Sequence, residues 1–366
     1  MSLLDVFRPD VRAMHAYVVQ DAAGYIKLDA MENPFTLPPE LQAKLGERLG
    51  QVAMNRYPGV RVNDLHAALR AYAHVPADHG LVLGNGSDEL ISLLSVACAQ
   101  PGAVALAPLP GFVMYEAFAK QSGMQFVGVP LTPDFELDGP AMLAAIRAHK
   151  PALTYIAYPN NPTANLWDDA VIEQIIDAVG ANGQGLVIID EAYQPFASKS
   201  YLERLTKHPH VLLMRTLSKF GLAGIRLGYM MGRKDLIEQV EKVRPPYNIS
   251  VLNVEAALFA LEHADEFARQ AEVIKSERER LLSALATMPG AQAYPSQANM
   301  ILVRVNDAAG TFNALKAKGI LIKNVAGLHG LLANCIRLTV GKPSENDALI
   351  AALTELLREP LNSNPA

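Results

Sequence analysis

From about residue 81 the chain alternates short apolar runs with stretches whose apolar residues recur at three- and four-residue spacing. In the stretch 87–99, for example, Leu90, Ile91, Leu94 and Ala97 recur in this way and predict a helix with one apolar face. The apolar runs predict strands at 81–83, 103–107, 125–129, 153–157, 186–189, 211–214 and 227–231. Strands alternating with helices are typical of an α/β fold with a mostly parallel central sheet flanked by helices.

The pattern changes after the double proline Pro245-Pro246, which blocks a continuous helix and marks a predicted boundary. A long, charge-rich helical region is predicted over about 251–287, and strands near 300–305 and 336–340. The first 49 residues carry few strand signals, and we expect them to pack on the later part of the chain. The predicted division is a large domain over 50–246 and a smaller α+β domain formed by 1–49 and 247–366.

Composition narrows the protein class. Of 366 residues, 50% are hydrophobic and 19% charged, which indicates a compact globular protein. The 32 Lys and Arg against 37 Asp and Glu give a net charge of -5, so no general attraction to nucleic acid or to an acidic membrane is expected. The first fifteen residues do not resemble a signal peptide, and no apolar run has the length of a membrane span. We expect a soluble, cytoplasmic protein with neither nucleic-acid nor membrane partners.

The cysteine and histidine positions argue against a metal site. Cys98 and Cys335 form no CxxC pair and cannot build a disulfide framework, which favours a reducing compartment. His208 and His210 have no third ligand at metal spacing.

Four segments that could carry catalytic or binding residues each follow a predicted strand. Lys219 stands among hydroxyl-bearing and small residues, where restricted hydration would help a lysine amine to lose its proton. Asp190 ends an apolar run, at the sheet edge where open α/β folds bind ligands, and a buried carboxylate there needs a cationic partner. The glycine turn 84–89 can present backbone N–H groups to a phosphate. Asn160 and Asn161 stand between prolines in a rigid turn.

Each segment alone has a plainer interpretation. Lys219 could be a solvated loop lysine, Asp190 a cap of the following turn, and Ser87 or Asp88 an ordinary helix cap. The asparagines could form only a turn. The glycine turn also lacks the full dinucleotide fingerprint, since position 89 is Glu, and it has no Walker lysine.

Taken together and in order, these segments resemble the fold-type I pyridoxal-phosphate aminotransferases and, within them, the histidinol-phosphate aminotransferases. The resemblance spans essentially the whole chain. It is carried by LDAMENP (28–34), RYPG (56–59), GNGSDE (84–89), PGFVMY (110–115), PNNPT (159–163), DEAY (190–193), RTLSK (215–219) and NCIRLTVG (334–341).

The resemblance implies a cofactor, pyridoxal 5'-phosphate, and a role for each matching residue. Lys219 would form an imine with the cofactor and transfer the substrate proton, Asp190 would keep the ring nitrogen protonated, and Tyr193 and Asn161 would bind the ring's phenolic oxygen. Phe112 would stack on the ring. The phosphate would be held by Gly86, Ser87, Asp88, Thr216, Ser218 and Arg226.

Further residues are implied for the partner subunit and the substrate. Tyr57 would reach the cofactor phosphate of the neighbouring subunit, so the protein would be a homodimer, although a turn tyrosine serving its own chain is the alternative. Arg337 would bind the distal anion of both substrates, with Tyr17, Lys323 and Asn161 in the same pocket. Lys323 stands where many relatives have arginine, and Phe112 where tyrosine is more usual.

The implied reaction is amino transfer between L-histidinol phosphate and 2-oxoglutarate, which yields imidazole acetol phosphate and L-glutamate in histidine biosynthesis. An aromatic aminotransferase or a threonine-phosphate decarboxylase shares the same machinery and is the nearest alternative. A sensor domain of a transcription regulator is a rival of another class. The 83 residues before Gly84 contain the family's own segments and no basic recognition helix, which argues against that rival.

Overall fold

The computed structural model describes residues 2–16 and 18–358. Its strands are β1 (Ile26–Lys27), β2 (His79–Gly84), β3 (Val104–Leu109), β4 (Gln125–Pro130), β5 (Leu153–Ala157), β6 (Leu186–Asp190), β7 (Val211–Thr216), β8 (Gly228–Arg233), β9 (Ala291–Ala293), β10 (Met300–Val305), β11 (Ile320–Leu321), β12 (Lys323–Asn324) and β13 (Cys335–Thr339). Its helices are α1 (Pro9–Arg12), α2 (Pro39–Gly50), α3 (Arg61–Tyr72), α4 (Gly86–Cys98), α5 (Met114–Gln121), α6 (Gly139–His149), α7 (Asp169–Asn182), α8 (Lys234–Glu241), α9 (Val251–Glu262), α10 (Ala264–Leu285), α11 (Ala308–Ala317) and α12 (Pro343–Arg358).

A seven-stranded sheet in the order β2-β8-β7-β6-β5-β3-β4 forms the centre of the fold. Only β8 runs antiparallel to its neighbours, so the predicted mostly parallel α/β sheet is confirmed. All seven apolar runs predicted as strands lie in this sheet, with ends that differ by a few residues. The hydrophobic pattern located six of these strands because they are buried on both faces and therefore largely apolar. The edge strand β4 is mostly half-buried or exposed.

Successive side chains of the central strands enter two different cores. On β6, Val187 and Ile189 pack into a cluster with α3, α6, α7 and α9, whereas Ile188 packs on the other face with α4, α5 and α8. Alternation of side chains across a strand produces this division. Each fully buried aliphatic side chain contributes about 1.5–3 kcal/mol to folding.

A four-stranded antiparallel sheet, β12-β13-β10-β9, forms a second layer. The short strand β1 pairs in parallel with β11, which brings Leu28 and Met31 into the hydrophobic cluster of this part of the molecule. Val254, Ala257 and Leu258 of α9 belong instead to the core of the seven-stranded sheet. The division into domains at residue 246 stays a prediction.

The helical region expected over about 251–287 is confirmed, and the structure divides it into two helices. Helix α9 ends at Glu262 and α10 begins at Ala264. His263 adopts a non-helical conformation, and its Nδ1 lies 2.8 Å from the carbonyl oxygen of Phe259, where it caps the end of α9. No described helix combines the length and the apolar character that crossing a bilayer requires.

Candidate active site

A cavity of about 380 Å³ opens at the carboxyl edge of the seven-stranded sheet. Three neighbouring parallel strands deliver residues to it: Asn161 follows β5, Asp190 ends β6 and Thr216 ends β7. Ten of the residues predicted from sequence line this cavity: Ser87, Asp88, Phe112, Asn161, Asp190, Tyr193, Thr216, Ser218, Lys219 and Arg226. The parallel sheet thus collects groups from distant parts of the chain, as open α/β folds do.

One end of the cavity is a cradle for an anion, formed by the start of α4. Gly86 has φ 78°, a conformation that favours glycine. A Cβ atom at Gly86 would lie 2.8 Å from Nη2 of Arg226, and one at Gly228 would lie 2.6 Å from the carbonyl carbon of Gly86. A side chain at position 228 would therefore collide with the backbone of α4, and one at position 86 would displace the guanidinium of Arg226. The positive end of the helix dipole adds to the attraction for an anion.

Hydroxyl groups complete this cradle. Ser218 Oγ lies 3.4 Å from Nη1 of Arg226 and 2.9 Å from Oγ1 of Thr216. Nη2 of Arg226 also donates to Oδ2 of Asp88 at 3.1 Å. A guanidinium, two hydroxyls and a helix start converge here, which is a donor set suited to a phosphate group.

Asp190 is the buried carboxylate of the site, with 4% of its surface exposed. Its Oδ1 accepts a hydrogen bond from the backbone N–H of Ala192 at 3.1 Å, and its Oδ2 accepts one from the hydroxyl of Tyr115 at 2.6 Å. Burial raises the pKa of Asp190 to about 6, and these two hydrogen bonds oppose the rise. A cation placed in the cavity would stabilise the ionised form further.

Lys219 lies in a π-helical turn, Ser218–Leu222, just after β7. Gly221 in this turn has φ 144°, and a Cβ there would lie 2.7 Å from the ring of Phe267, so only glycine fits. The Nζ of Lys219 donates to the carbonyl oxygen of Ala30 at 3.1 Å. Burial, helped by the positive charge of Arg337, lowers the pKa of Lys219 to about 8. A substantial fraction of the amine is therefore neutral just above physiological pH.

Two aromatic residues border the same space. Tyr193 is buried, with its ring centre 5.8 Å from Nζ of Lys219, and burial raises the pKa of its hydroxyl. Phe112 lines the cavity and meets Tyr115 edge to face, with ring centres 5.5 Å apart. The cavity therefore has flat apolar walls as well as polar groups.

Arg337 on β13 joins the second sheet to this site. Its Nη1 donates to Oδ1 of Asn161 at 2.8 Å, and its Nη2 donates to the carbonyl oxygen of Asp29 at 2.7 Å. Lys323 on β12 is the direct register partner of Arg337 in the antiparallel pair. Side chains of such partners project from the same face, so two cations stand side by side there.

Four of the predicted residues that the structure describes do not line this cavity: Gly86 in the adjacent first turn of α4, Lys323 and Arg337 on the second sheet, and Tyr57. Tyr57 is 77% exposed, stacks on Tyr247 with ring centres 4.6 Å apart, and does not line the cavity of its own chain. Tyr17 lies outside the described residues.

Sequence reasoning missed several residues at the site. Tyr115, Glu32 and Met31 also line the cavity. Met31 and Glu32 lie in the segment LDAMENP and Tyr115 lies in PGFVMY, but no local signal indicates which side chains of these segments turn inward. No group of three or more His, Cys, Asp or Glu side chains within the described residues could hold a metal ion.

Comparisons with known proteins agree with this geometry. Residues 23–353 match the family Aminotransferase class I and II. The chain is 68% identical over 350 residues to the histidinol-phosphate aminotransferase of Methylibium petroleiphilum, covering 96% of this chain and 94% of that one. It is 64% identical to the enzyme of the same name from Polaromonas naphthalenivorans, covering 96% of each chain.

Solved structures agree as well. The histidinol-phosphate aminotransferase of Sinorhizobium meliloti, solved with pyridoxal 5'-phosphate, has a TM-score of 0.82 at 27% identity and covers 96% of this chain and 97% of its own. The L-threonine-O-3-phosphate decarboxylase of Porphyromonas gingivalis shares the fold, with a TM-score of 0.75 at 20% identity over 91% of this chain and all of its own. This chain belongs to the class I and II aminotransferases, which use pyridoxal 5'-phosphate as their cofactor.

Proposed function

We propose that the protein transfers the amino group of L-histidinol phosphate to 2-oxoglutarate, yielding imidazole acetol phosphate and L-glutamate, in histidine biosynthesis. The observation that carries the proposal is the 68% identity, over 96% of the chain, to a relative that bears this activity in its name. A cytoplasmic location is part of the proposal, and the two free cysteines fit a reducing compartment.

The cavity fits pyridoxal 5'-phosphate. Its anion cradle depends on Gly86 and Gly228, where any side chain would collide with the start of α4 or with Arg226. Arg226, Ser218, Thr216 and the first turn of α4, with Gly86, Ser87 and Asp88, would hold the phosphate. Phe112 would lie against the ring, while Tyr193 and Asn161 would bind its phenolic oxygen.

When bound, the cofactor supplies an aldehyde that takes up the amino group and a ring that draws electrons from the substrate α-carbon. Asp190 would hold a proton on the ring nitrogen by presenting its negative charge, and burial of this carboxylate strengthens that interaction. Lys219 would take the proton from the substrate α-carbon and return it. Its lowered pKa suits this task, because an acid–base group works best near the ambient pH.

Arg337 would bind the distal anion of each substrate. A planar guanidinium can accept either a phosphate monoester or a carboxylate in a bidentate manner. The neighbouring Lys323 would add positive charge, which attracts a doubly charged phosphate more strongly than a carboxylate. Tyr17 is proposed for the same pocket on the resemblance alone.

The substrate proposal is tested by a half-reaction. The holoenzyme is mixed with histidinol phosphate without an acceptor, and the absorption of the bound cofactor is followed. We expect the absorption of the bound cofactor to change completely with histidinol phosphate and little with phenylalanine. A change with phenylalanine alone would favour an aromatic aminotransferase, and release of carbon dioxide from threonine phosphate would favour the decarboxylase.

The attachment site is tested separately. Borohydride reduction of the holoenzyme, followed by peptide mapping, should find the cofactor on the peptide that contains Lys219. Attachment to any other peptide, or to none, would overturn the role proposed for this lysine.

A homodimer with shared sites is the second part of the proposal. Tyr57 and Tyr247 form an exposed stacked pair, and the neighbouring Met54 and Val60 are also largely exposed. Large apolar side chains grouped on a surface are typical of a protein interface. Tyr57 lies outside its own chain's cavity, which fits a contact with the cofactor phosphate of a second subunit.

Mixed dimers test the shared site. Tyr57→Ala and Lys219→Ala subunits, each expected to be nearly inactive, are unfolded together and refolded. A hybrid dimer contains one intact site only if Tyr57 serves the other subunit, so random mixing should restore about a quarter of the wild-type activity. No recovery would place Tyr57 in its own chain's site, and full activity of Tyr57→Ala alone would remove it from catalysis.

A further inference from the structure

Tyr115 is the residue whose side chain determines how Asp190 is held. Its hydroxyl donates to Oδ2 of Asp190 at 2.6 Å, although the two residues are 75 positions apart in the chain. That distance lies in the range of hydrogen bonds between a hydroxyl and an ionised carboxylate. The bond therefore favours the charged form of Asp190.

The ring of Tyr115 is fixed by its surroundings. It is 2% exposed, and it stacks on Tyr155 of β5 with ring centres 4.4 Å apart and planes 8° apart. Phe112 packs against it edge to face. Because the ring cannot turn without disturbing both neighbours, the hydroxyl points at Asp190 in a defined direction.

The second hydrogen bond, from the N–H of Ala192 to Oδ1, comes from the chain of Asp190 itself. The bond from Tyr115 comes from α5. Together they clamp the two oxygens from different elements, so the orientation of the carboxylate is set by the packing of α5 against the sheet.

We propose that Tyr115 is a positioning residue of amino transfer: its hydroxyl keeps Asp190 ionised and orients the carboxylate toward the ring nitrogen of the bound cofactor. This inference rests on the proposed role of Asp190. Tyr115 contributes no proton to the reaction and acts only through this carboxylate.

The environment of Asp190 makes this hydrogen bond necessary. Burial raises the pKa of Asp190 to about 6, and the negative charges of Asp88 and Glu191 push in the same direction. Tyr155 on β5 and Tyr193 are the other titratable groups that interact with it. Without the Tyr115 hydroxyl, the carboxylate loses the largest interaction that opposes these effects, and the pKa of Asp190 rises further.

Tyr115→Phe removes the hydroxyl and keeps the ring. We expect kcat of the holoenzyme to fall about 10-fold, the loss of one hydrogen bond to a charged group, with the KM of the amino donor nearly unchanged. The acidic limb of the kcat profile, and the pH titration of the cofactor's absorption, should move up by about one pH unit.

Tyr155→Phe is the matched control, because it removes a buried hydroxyl from the same stacked pair and leaves the Tyr115–Asp190 bond in place. It should leave the pH profile unchanged. An equal shift in both variants, or an unchanged profile in Tyr115→Phe, would overturn the inference.

Incorporation of 3-fluorotyrosine at position 115 keeps the shape of the ring and makes the hydroxyl a stronger donor. It should move the acidic limb to lower pH, opposite to Tyr115→Phe, so the test does not depend on a variant that folds poorly. A shift in the same direction as Tyr115→Phe would contradict the proposal.

A double-mutant cycle shows whether Tyr115 acts through Asp190. In an Asp190→Asn background, Tyr115→Phe should cause no further loss of kcat. All variants are compared with the wild type on whichever amino donor the wild type converts. Failure of the histidinol phosphate proposal is then seen in the wild type. Failure of the Tyr115 inference is seen only in the variants. Additive losses would overturn the inference.

Discussion

Arg337 donates a 2.8 Å hydrogen bond to Oδ1 of Asn161, which links the second sheet to the loop after β5 of the central sheet. Through Asn161 this buried guanidinium reaches the cavity that contains Lys219, and its charge helps to lower the pKa of that lysine. One arginine thereby connects the proposed site for the substrate anion with the amine proposed to move the proton.

Arg337→Gln should therefore reduce kcat/KM for both histidinol phosphate and 2-oxoglutarate. We expect about a 10- to 100-fold loss for each, because a charged hydrogen bond contributes about 1.5–3 kcal/mol. Steady-state kinetics with each substrate varied in turn provides the measurement. Arg147→Gln, on the exposed end of α6, is the control and should behave as the wild type. A loss confined to one of the two substrates would contradict a shared anion site.

Arg226→Gln should weaken binding of the cofactor. The guanidinium stands at the anion cradle beside Ser218 and the start of α4, so its loss should raise the Kd for pyridoxal 5'-phosphate about 10-fold or more. Titration of the apoprotein with cofactor, followed by absorption, measures this. Arg233→Gln removes an exposed arginine paired with Asp235 and should leave the Kd unchanged. Equal Kd values for all three proteins would exclude Arg226 from the phosphate site.

Lys219→Met should stabilise the apoprotein at pH 7. The pKa of Lys219 is about 8 in the folded protein against 10.5 for an ordinary lysine, so between these values the unfolded chain binds the extra proton. The free energy of unfolding of the wild type therefore rises from pH 8 to pH 10.5, and below pH 8 it carries the full penalty of a buried charge. The variant should be more stable by up to roughly 3 kcal/mol at pH 7, and this advantage should vanish above pH 10.5.

Urea unfolding of the apoprotein at several pH values tests this prediction. Lys207→Met, at an exposed lysine, should show no such pH-dependent gain. If the free energy of unfolding of Lys219→Met differed from that of the wild type by the same amount at pH 7 and at pH 10.5, the charged form of the lysine would not be destabilised by its surroundings.

Glu191→Gln should lower stability through a buried ion pair. The carboxylate of Glu191, fully buried, lies 2.9 Å from Nη2 of Arg215 and also accepts the N–H of Tyr201. Removing its charge leaves the buried positive charge of Arg215 without its carboxylate partner. Breaking such a pair lowers the free energy of unfolding by about 3–5 kcal/mol. Glu241→Gln breaks a more exposed ion pair with Arg244 and should lower the free energy of unfolding by less than about 1 kcal/mol. Thermal and urea unfolding compare the two, and equal losses would contradict the prediction.

The sequence by itself determined the strands of the central sheet and the segments that carry Asp190 and Lys219. Both are local properties: a strand buried on both faces must be apolar along its length, and a residue at the end of such a strand must lie at the sheet edge. The same local pattern could not show that His263 divides the predicted helical region into two helices, because a ring that caps a carbonyl four residues earlier leaves the hydrophobic spacing intact.

Only the tertiary structure decided which side chains meet. The bond from Tyr115 to Asp190 spans 75 positions and that from Arg337 to Asn161 spans 176, and neither pair shares a motif. Such contacts depend on how α5 packs on the sheet and how β13 approaches the loop after β5. Packing between distant elements is a property of the whole chain, so residue pattern within a short window carries no information about it.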